Sequence, residues 1–171
     1  LTLSQSWRVR NRFNGFTGRG YIEWTGTKQN NNPGQGTINI RIRITNPGEY
    51  RKQWYNRIGK GNNTTEHNDT WVKFPDAKDY YGYRVRNGTE TRRYHKPICN
   101  DMNFLNRIRN RMGISDARCA AGSTRDGWMK VYSSGANNWK WSTFTSDNDA
   151  HDIGVDFDKA GVYTLQLSAR G

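Results

Sequence analysis

A regular alternation of apolar and polar positions is the clearest pattern in this chain. In residues 37–45, isoleucines at positions 38, 40, 42 and 44 alternate with Thr, Asn and Arg. Successive side chains of a β-strand point to opposite faces, so the pattern predicts a strand with one buried and one solvated face. Asn46-Pro47-Gly48 supplies a turn, and residues 49–57 are predicted to return as the second strand of an antiparallel hairpin.

Shorter segments of the same kind recur along the chain, separated by Gly, Asn, Thr and Ser. We predict the last two of these strands to form another hairpin through Lys159-Ala160-Gly161. Many short strands without regular helices favour an all-β fold, a β-sandwich of the jelly-roll type. The predicted strands cover residues 20–25, 70–74, 80–86, 128–132, 153–157 and 162–168.

One segment departs from the strand pattern. In residues 103–112, Phe104, Leu105, Ile108 and Met112 share one side of a helix. We place this helix in a long basic insertion at 84–118, within a single domain that spans residues 1–171. Cys99 lies within this insertion and Cys119 directly follows it; a disulfide between them and two buried free thiols both remain open.

Composition and charge limit the classes of partner that this chain could bind. Aromatic residues make up 13% of the chain, and all hydrophobic residues together make up 33%. The sequence contains no run of about 18 apolar residues, which excludes an apolar membrane helix. Where basic residues cluster, the net charge of +12 favours binding to a polyanionic partner. Scattered basic residues are equally well explained as a solvated surface. The anion-binding candidates are Arg84, Arg86, Arg92 and Arg93.

Two polar clusters, residues 64–71 and 146–152, each precede a predicted strand. Their carboxylates, amides and imidazoles supply ligand-binding candidates, although such residues also cap turns. Paired carboxylates drawn from Glu66, Asp69, Asp149 and Asp152 would suit glycoside hydrolysis. The oxygen-rich loops also suit Ca²⁺, which takes about six to eight oxygen ligands, so a structural calcium ion is a further hypothesis.

Tryptophans near these clusters favour a sugar as ligand. A sugar ring stacks its apolar face on an aromatic side chain while nearby polar groups bind its hydroxyls. Trp139 and Trp141 share one face of their segment, with Lys140 on the other, and that face is either a binding surface or core. The carbohydrate-binding candidates are Trp54, His67, Asn68, Asp69, Trp71, Asn138, Trp139, Trp141, Asp149 and His151.

Several segments, in this order and spacing, resemble the family 6 carbohydrate-binding modules, galactose-binding-like jelly rolls of secreted bacterial polysaccharide-degrading enzymes. The segments are Gly20-Tyr21-Ile22-Glu23-Trp24-Thr25-Gly26, Pro33-Gly34-Gln35-Gly36, Asn46-Pro47-Gly48-Glu49-Tyr50, Glu66-His67-Asn68-Asp69-Thr70-Trp71-Val72-Lys73-Phe74, and His151-Asp152-Ile153 with Gly161-Val162-Tyr163-Thr164-Leu165. The resemblance implies sugar binding through loop aromatics and amides, often a structural calcium ion, and no catalysis. By this comparison the domain lacks a first and a last strand, and the basic insertion has no counterpart.

The leading hypothesis is therefore a secreted or cell-surface, non-catalytic module. It would direct an attached enzyme or a surface complex to a polysaccharide, with sulfated algal galactans as the first candidates because of the charge. Nucleic-acid or general polyanion binding through residues 84–118 is the alternative, although no nucleic-acid fold signature is present. A glycan-degrading enzyme that uses the loop carboxylates is the second alternative.

Overall fold

A computed structural model describes residues 3, 6–60, 66–95, 118–119, 126–134 and 136–170, with backbone alone for 86, 89–95 and 118–119. This part of the chain is all-β and contains no helix. Its strands are β1 Trp7–Arg10, β2 Tyr21–Trp24, β3 Ile38–Ile44, β4 Gly48–Lys52, β5 Tyr55–Asn56, β6 Asp69–Lys73, β7 Asp79–Arg86, β8 Thr89–His95, β9 Arg118–Cys119, β10 Met129–Tyr132, β11 Lys140–Trp141, β12 Asp152–Phe157 and β13 Gly161–Ala169.

Two larger sheets make up a sandwich-like body. One has the strand order β10-β6-β13-β3 and the other β4-β12-β7-β8-β9. All neighbours are antiparallel except β8 and β9, which pair in parallel. One apolar core gathers residues from both sheets, among them Val72 and Leu167 from the first and Val155 and Phe157 from the second. This packing confirms the predicted all-β class and the sandwich-like arrangement.

The alternating isoleucines behave as predicted. Ile38 and Ile44 are buried, whereas Asn39, Arg41 and Arg43 on the other face are exposed. Strand β3 pairs with β13 in a register that sets Ile42 opposite Tyr163 and Ile40 opposite Leu165. The inner face of this sheet is therefore continuous across the two strands.

Both hairpins predicted from turn residues are wrong. Strand β3 pairs with β13 while β4 pairs with β12, so the turn at Asn46-Pro47-Gly48 carries the chain from one sheet to the other. The link at residues 158–160 does the same between β12 and β13. Strands β3, β12 and β13 each bury an apolar face in the shared core, and crossing between sheets achieves this burial as well as pairing within one sheet would.

The first part of the predicted insertion is a β-hairpin. Strands β7 and β8 pair around Asn87 and Gly88, whose positive φ angles of 50° and 77° suit a tight turn. Residues 84–95 thus extend the five-stranded sheet and are not helical. The predicted helix at 103–112 and Cys99 lie outside the described residues, as does the side chain of Cys119.

Within the described ranges, no helix has the length and apolar character needed to cross a membrane.

Candidate functional site

A cleft of about 880 Å³ opens at the end of the sandwich opposite the turn between β3 and β4. Strand β6 begins there, β13 ends there, and β4 ends there at Lys52. The β1–β2 hairpin forms one wall, and the inner-face residues Ile40 and Leu165 lie at the base. The volume lies within the range of small-ligand pockets, about 300 to 1,000 Å³.

Aromatic rings form one side of the cleft, with Trp139 at the centre. Tyr55 stacks on Trp139 at 5.5 Å between ring centroids, and Tyr21 meets it edge-on at 5.1 Å. Pairing of β5 with β11 holds this arrangement, because it sets Tyr55 opposite Trp141. Trp141 is 63% exposed and its ring lies 5.4 Å from that of Tyr55. The aromatic wall therefore continues from the cleft onto the open surface.

The cleft is strongly basic. Its two carboxylates among the described residues, Glu23 and Asp69, are each held by two cations. Burial raises the pKa of Asp69, although the charges of Arg170 and Lys130 oppose that shift. The remaining field is positive and attracts anions. The basic lining residues are Arg10, Arg12, Lys28, Lys52, Arg57, Lys60 and Arg170.

Several buried polar atoms on the lining residues have no hydrogen-bond partner in the part of the chain that the structure describes. All of them can donate a hydrogen bond, and five of the six can do nothing else. By contrast, the indoles of Trp7 and Trp24, which also line the cleft, donate to the carbonyls of Gly36 and Thr27. The atoms without partners are Tyr21 Oη, Lys52 Nζ, Trp54 Nε1, Arg57 Nε, Trp139 Nε1 and Arg170 Nε.

Lys52 has the most unusual environment of these. It lies on the inner face of the five-stranded sheet, opposite the buried Ile153 of β12. Part of the residue remains exposed, but Nζ is buried and sits 3.5 Å from the centre of the Trp54 ring. Burial lowers the pKa of Lys52 well below its ordinary value of 10.5. The ring supplies a cation–π contact, and no described carboxylate pairs with Nζ.

The structure brings four of the predicted sugar-binding residues into the cleft: Trp54, His67, Asp69 and Trp139. His67 adopts a φ of 55°, a left-handed conformation that a turn before β6 requires. Trp141 lies beside the cleft, in ring contact with Tyr55. The two polar clusters also meet, since Lys130 bridges Asp69 of the first and Asp147 of the second.

The other predicted sugar-binding residues lie elsewhere or have structural partners. Trp71 is only 3% exposed and has the Arg170 guanidinium 5.3 Å from its ring centre, so it offers no open stacking surface. His151 is 1% exposed, and Asn68 donates its amide to the Ser133 carbonyl at 2.9 Å. Asn138 is exposed. Asp149 is ion-paired, as described next.

Three of the four loop carboxylates considered for catalysis have arginine partners. Asp69 pairs with Arg170, Asp149 with Arg84, and Asp152 with Arg51 at 2.7 Å. Glu66 is exposed. Arg84, predicted as an anion-binding residue, therefore binds Asp149 and the Ala150 carbonyl.

The remaining anion-binding candidates lie on the β7–β8 hairpin. Arg86 ends β7, and Arg92 and Arg93 lie in β8; their side chains are outside the described part of the structure. Among the described residues, no group of three or more His, Cys, Asp or Glu side chains is arranged to hold a metal ion.

Sequence reasoning missed several residues of the cleft, including Tyr21, Lys52 and Arg57. Lys52 carried a detectable signal, because it shares the strand face of Tyr50 and Trp54 and is thus a charged residue at a position that alternation assigns to the interior. Arg57 carried none, since its position over the Phe13 ring, 4.2 Å from the centroid, depends on a contact across the fold.

Comparison of the chain with protein-family models, with curated protein sequences and with solved structures found no match. The resemblance to carbohydrate-binding modules therefore depends on the sequence segments alone.

Proposed function

We propose that this domain binds carbohydrate in the basic, aromatic cleft, without catalysis, and that it favours glycans that carry acidic groups. The observation that supports the proposal best is the set of unpartnered hydrogen-bond donors among aromatic rings. Buried polar atoms normally have partners, and leaving one without costs about 1 to 3 kcal/mol. A ligand that is dense in oxygen acceptors would supply them.

A sugar chain fits both halves of this lining. Its ring presents C–H faces that can lie on Trp139, Tyr55 or Trp141, and its hydroxyl oxygens can accept from the donors between those rings. One well-covered Trp contributes on the order of 1 to 3 kcal/mol at about 25 cal/mol per Å² of apolar surface. The aromatic residues should therefore supply most of the affinity.

The charge of the cleft favours an acidic glycan over a neutral one. Seven basic side chains line it, and Glu23 and Asp69 are already occupied by cations. Each exposed basic contact is worth about 0 to 1 kcal/mol, so binding should weaken as salt rises. Sulfated galactans are the first class to test. Attachment to a secreted polysaccharide-degrading enzyme, the jelly-roll topology and a structural calcium ion belong to this proposal through the sequence resemblance.

Affinity electrophoresis against neutral and sulfated polysaccharides tests the proposal. We expect retardation by a sulfated galactan and a loss of about ten- to a hundredfold in affinity for Trp139→Ala. Tyr50→Ala is the matched control, because Tyr50 is an exposed aromatic residue (40%) that packs on Phe157, away from the cleft. Retardation by none of the glycans, or equal losses in the two variants, would contradict the proposal.

The same gels separate sugar binding from general polyanion binding. Duplex DNA added as a competitor at near-physiological salt should leave retardation in place if the aromatic cleft supplies the affinity. Displacement by DNA, together with full retention of DNA binding in Trp139→Ala, would favour nucleic-acid binding through the basic surface instead.

A further inference from the structure

The ammonium group of Lys52 stands out among the charged groups that line the cleft. The described structure gives it no hydrogen bond and no ion pair, and the atom is out of contact with solvent. Glu23 and Asp69 do not serve as its counter-ion, because Arg10 and Arg12 hold the first and Arg170 and Lys130 hold the second. Its contact is with the face of the Trp54 ring.

Such a placement of a charged group is energetically costly. A buried charge without a partner is unfavourable, and a cation–π contact recovers only about 0.5 to 2 kcal/mol of the loss. An acidic group brought into the cleft would restore a full ion pair in a poorly solvated place, where the attraction is stronger than at the surface. The electrostatic gain from an acidic group is therefore concentrated at this one nitrogen, in addition to the affinity that the aromatic residues supply.

Trp54, like Lys52, has an unsatisfied hydrogen-bond donor among the described residues. In the part of the chain that the structure describes, its Nε1 has no hydrogen-bond partner, and the Lys52 ammonium covers one face of its ring. Lysine has a flexible four-carbon side chain, so a modest rotation moves Nζ off the ring. One movement thus presents a cation to an acid and an aromatic face to a sugar ring.

We propose that Lys52 is the specificity-determining residue of the cleft: it leaves the Trp54 ring to pair with one carboxylate or sulfate of the ligand, and the sugar ring that bears this group takes its place on Trp54. This inference depends on the proposed carbohydrate binding and adds to it the position at which acidic and neutral glycans are distinguished. The other basic residues of the cleft then contribute a diffuse attraction that does not select one group.

The experiment compares Lys52→Met with wild type on three probes of equal length: oligogalacturonate, a sulfated galacto-oligosaccharide and a neutral galacto-oligosaccharide. Met keeps the length and apolar volume of the side chain and removes its charge. Lys159→Met is the matched control, since it removes the same charge from an exposed link between β12 and β13. Isothermal titration gives the affinities, and Trp fluorescence reports on the Trp54 environment.

We expect Lys52→Met to lose at least about tenfold in affinity for whichever acidic probe binds, and to keep its affinity for the neutral probe. Lys159→Met should match wild type on every probe. The carboxylate and the sulfate probes identify which acid the position accepts. Fluorescence of wild type should change on binding an acidic probe, and that change should be altered in Lys52→Met.

The experiment distinguishes failure of the Lys52 assignment from failure of the proposed carbohydrate binding. If wild type binds acidic and neutral probes with equal affinity, or if Lys52→Met loses affinity for all bound probes alike, the assignment of Lys52 is wrong while carbohydrate binding stands. If wild type binds none of the probes, the proposed function fails and the assignment of Lys52 fails with it.

Discussion

Aromatic residues form two groups, one in the core and one in the cleft, and the two groups differ in their hydrogen bonds. In the core, Tyr80 and Tyr163 pack on Phe74 and Phe157, and their hydroxyls donate to the carbonyls of Gly127 and Lys159. In the cleft, the polar atoms of Tyr21, Trp54 and Trp139 have no partner among the described residues. Ring contacts are similar in both groups, so hydrogen bonding distinguishes these two core tyrosines from the cleft residues, whose donors a ligand could satisfy. The buried Nε1 of Trp71, outside the cleft lining, also lacks a partner among the described residues.

The largest effect should come from emptying the core. Phe157 is 2% exposed and its ring centroid lies 4.5 Å from that of Tyr163. We expect Phe157→Ala to lower the free energy of unfolding by about 3 to 5 kcal/mol, because it removes a large buried side chain and leaves a cavity. Urea denaturation measures this loss. The protein that remains folded should bind glycans as wild type does; a selective loss of binding would show that core and cleft are not separate.

The core could be predicted from the sequence to a large extent, because its signal is local. The isoleucines of β3 and the alternation in β13 assign inner and outer faces residue by residue. The pairing partners could not be predicted, since Asn46-Pro47-Gly48 fits a hairpin turn and a crossing between sheets equally well. Only the packing of both faces into one core, a property of the whole chain, decides between the two.

Removing the charge of Lys52 should give the next largest effect, in the opposite direction. Lys52→Met should raise the free energy of unfolding by about 1 to 3 kcal/mol, the range for an unsatisfied buried polar group. Because burial lowers the pKa of Lys52 in the folded state below the ordinary 10.5, the unfolded chain holds more protons between these two pKa values. Wild type therefore becomes more stable as pH rises through that window.

The advantage of Lys52→Met over wild type should accordingly be complete below the folded-state pKa of Lys52 and vanish as pH approaches 10.5. Urea denaturation of both proteins across this range measures the difference, and groups common to both cancel. A difference that does not change with pH would show that the ammonium is already compensated. In that case the core and the cleft would differ less than their hydrogen bonds indicate.

The cleft could be predicted only in part. The aromatic and polar residues near β5, β6 and β11 indicated a binding surface, and Trp54, His67, Asp69 and Trp139 do line it. Trp71 shows the limit of this reasoning, because the sequence gives no sign that Arg170 covers its ring. Such contacts join segments about a hundred residues apart, and composition near either segment does not reveal them.

The smallest effect gives the sharpest comparison, because it changes one hydroxyl in each group. Tyr80→Phe removes a buried donor and leaves the Gly127 carbonyl without its partner, which should cost about 1 to 2 kcal/mol of stability. Tyr21→Phe removes a buried hydroxyl that has no partner in the described structure, so stability should rise slightly, by about 1 kcal/mol. Glycan affinity should fall for Tyr21→Phe and should stay unchanged for Tyr80→Phe. Thermal unfolding and affinity electrophoresis measure the two quantities on the same samples. A substantial loss of stability in Tyr21→Phe would mean that its hydroxyl already has a structural partner, and the cleft would then be a continuation of the core.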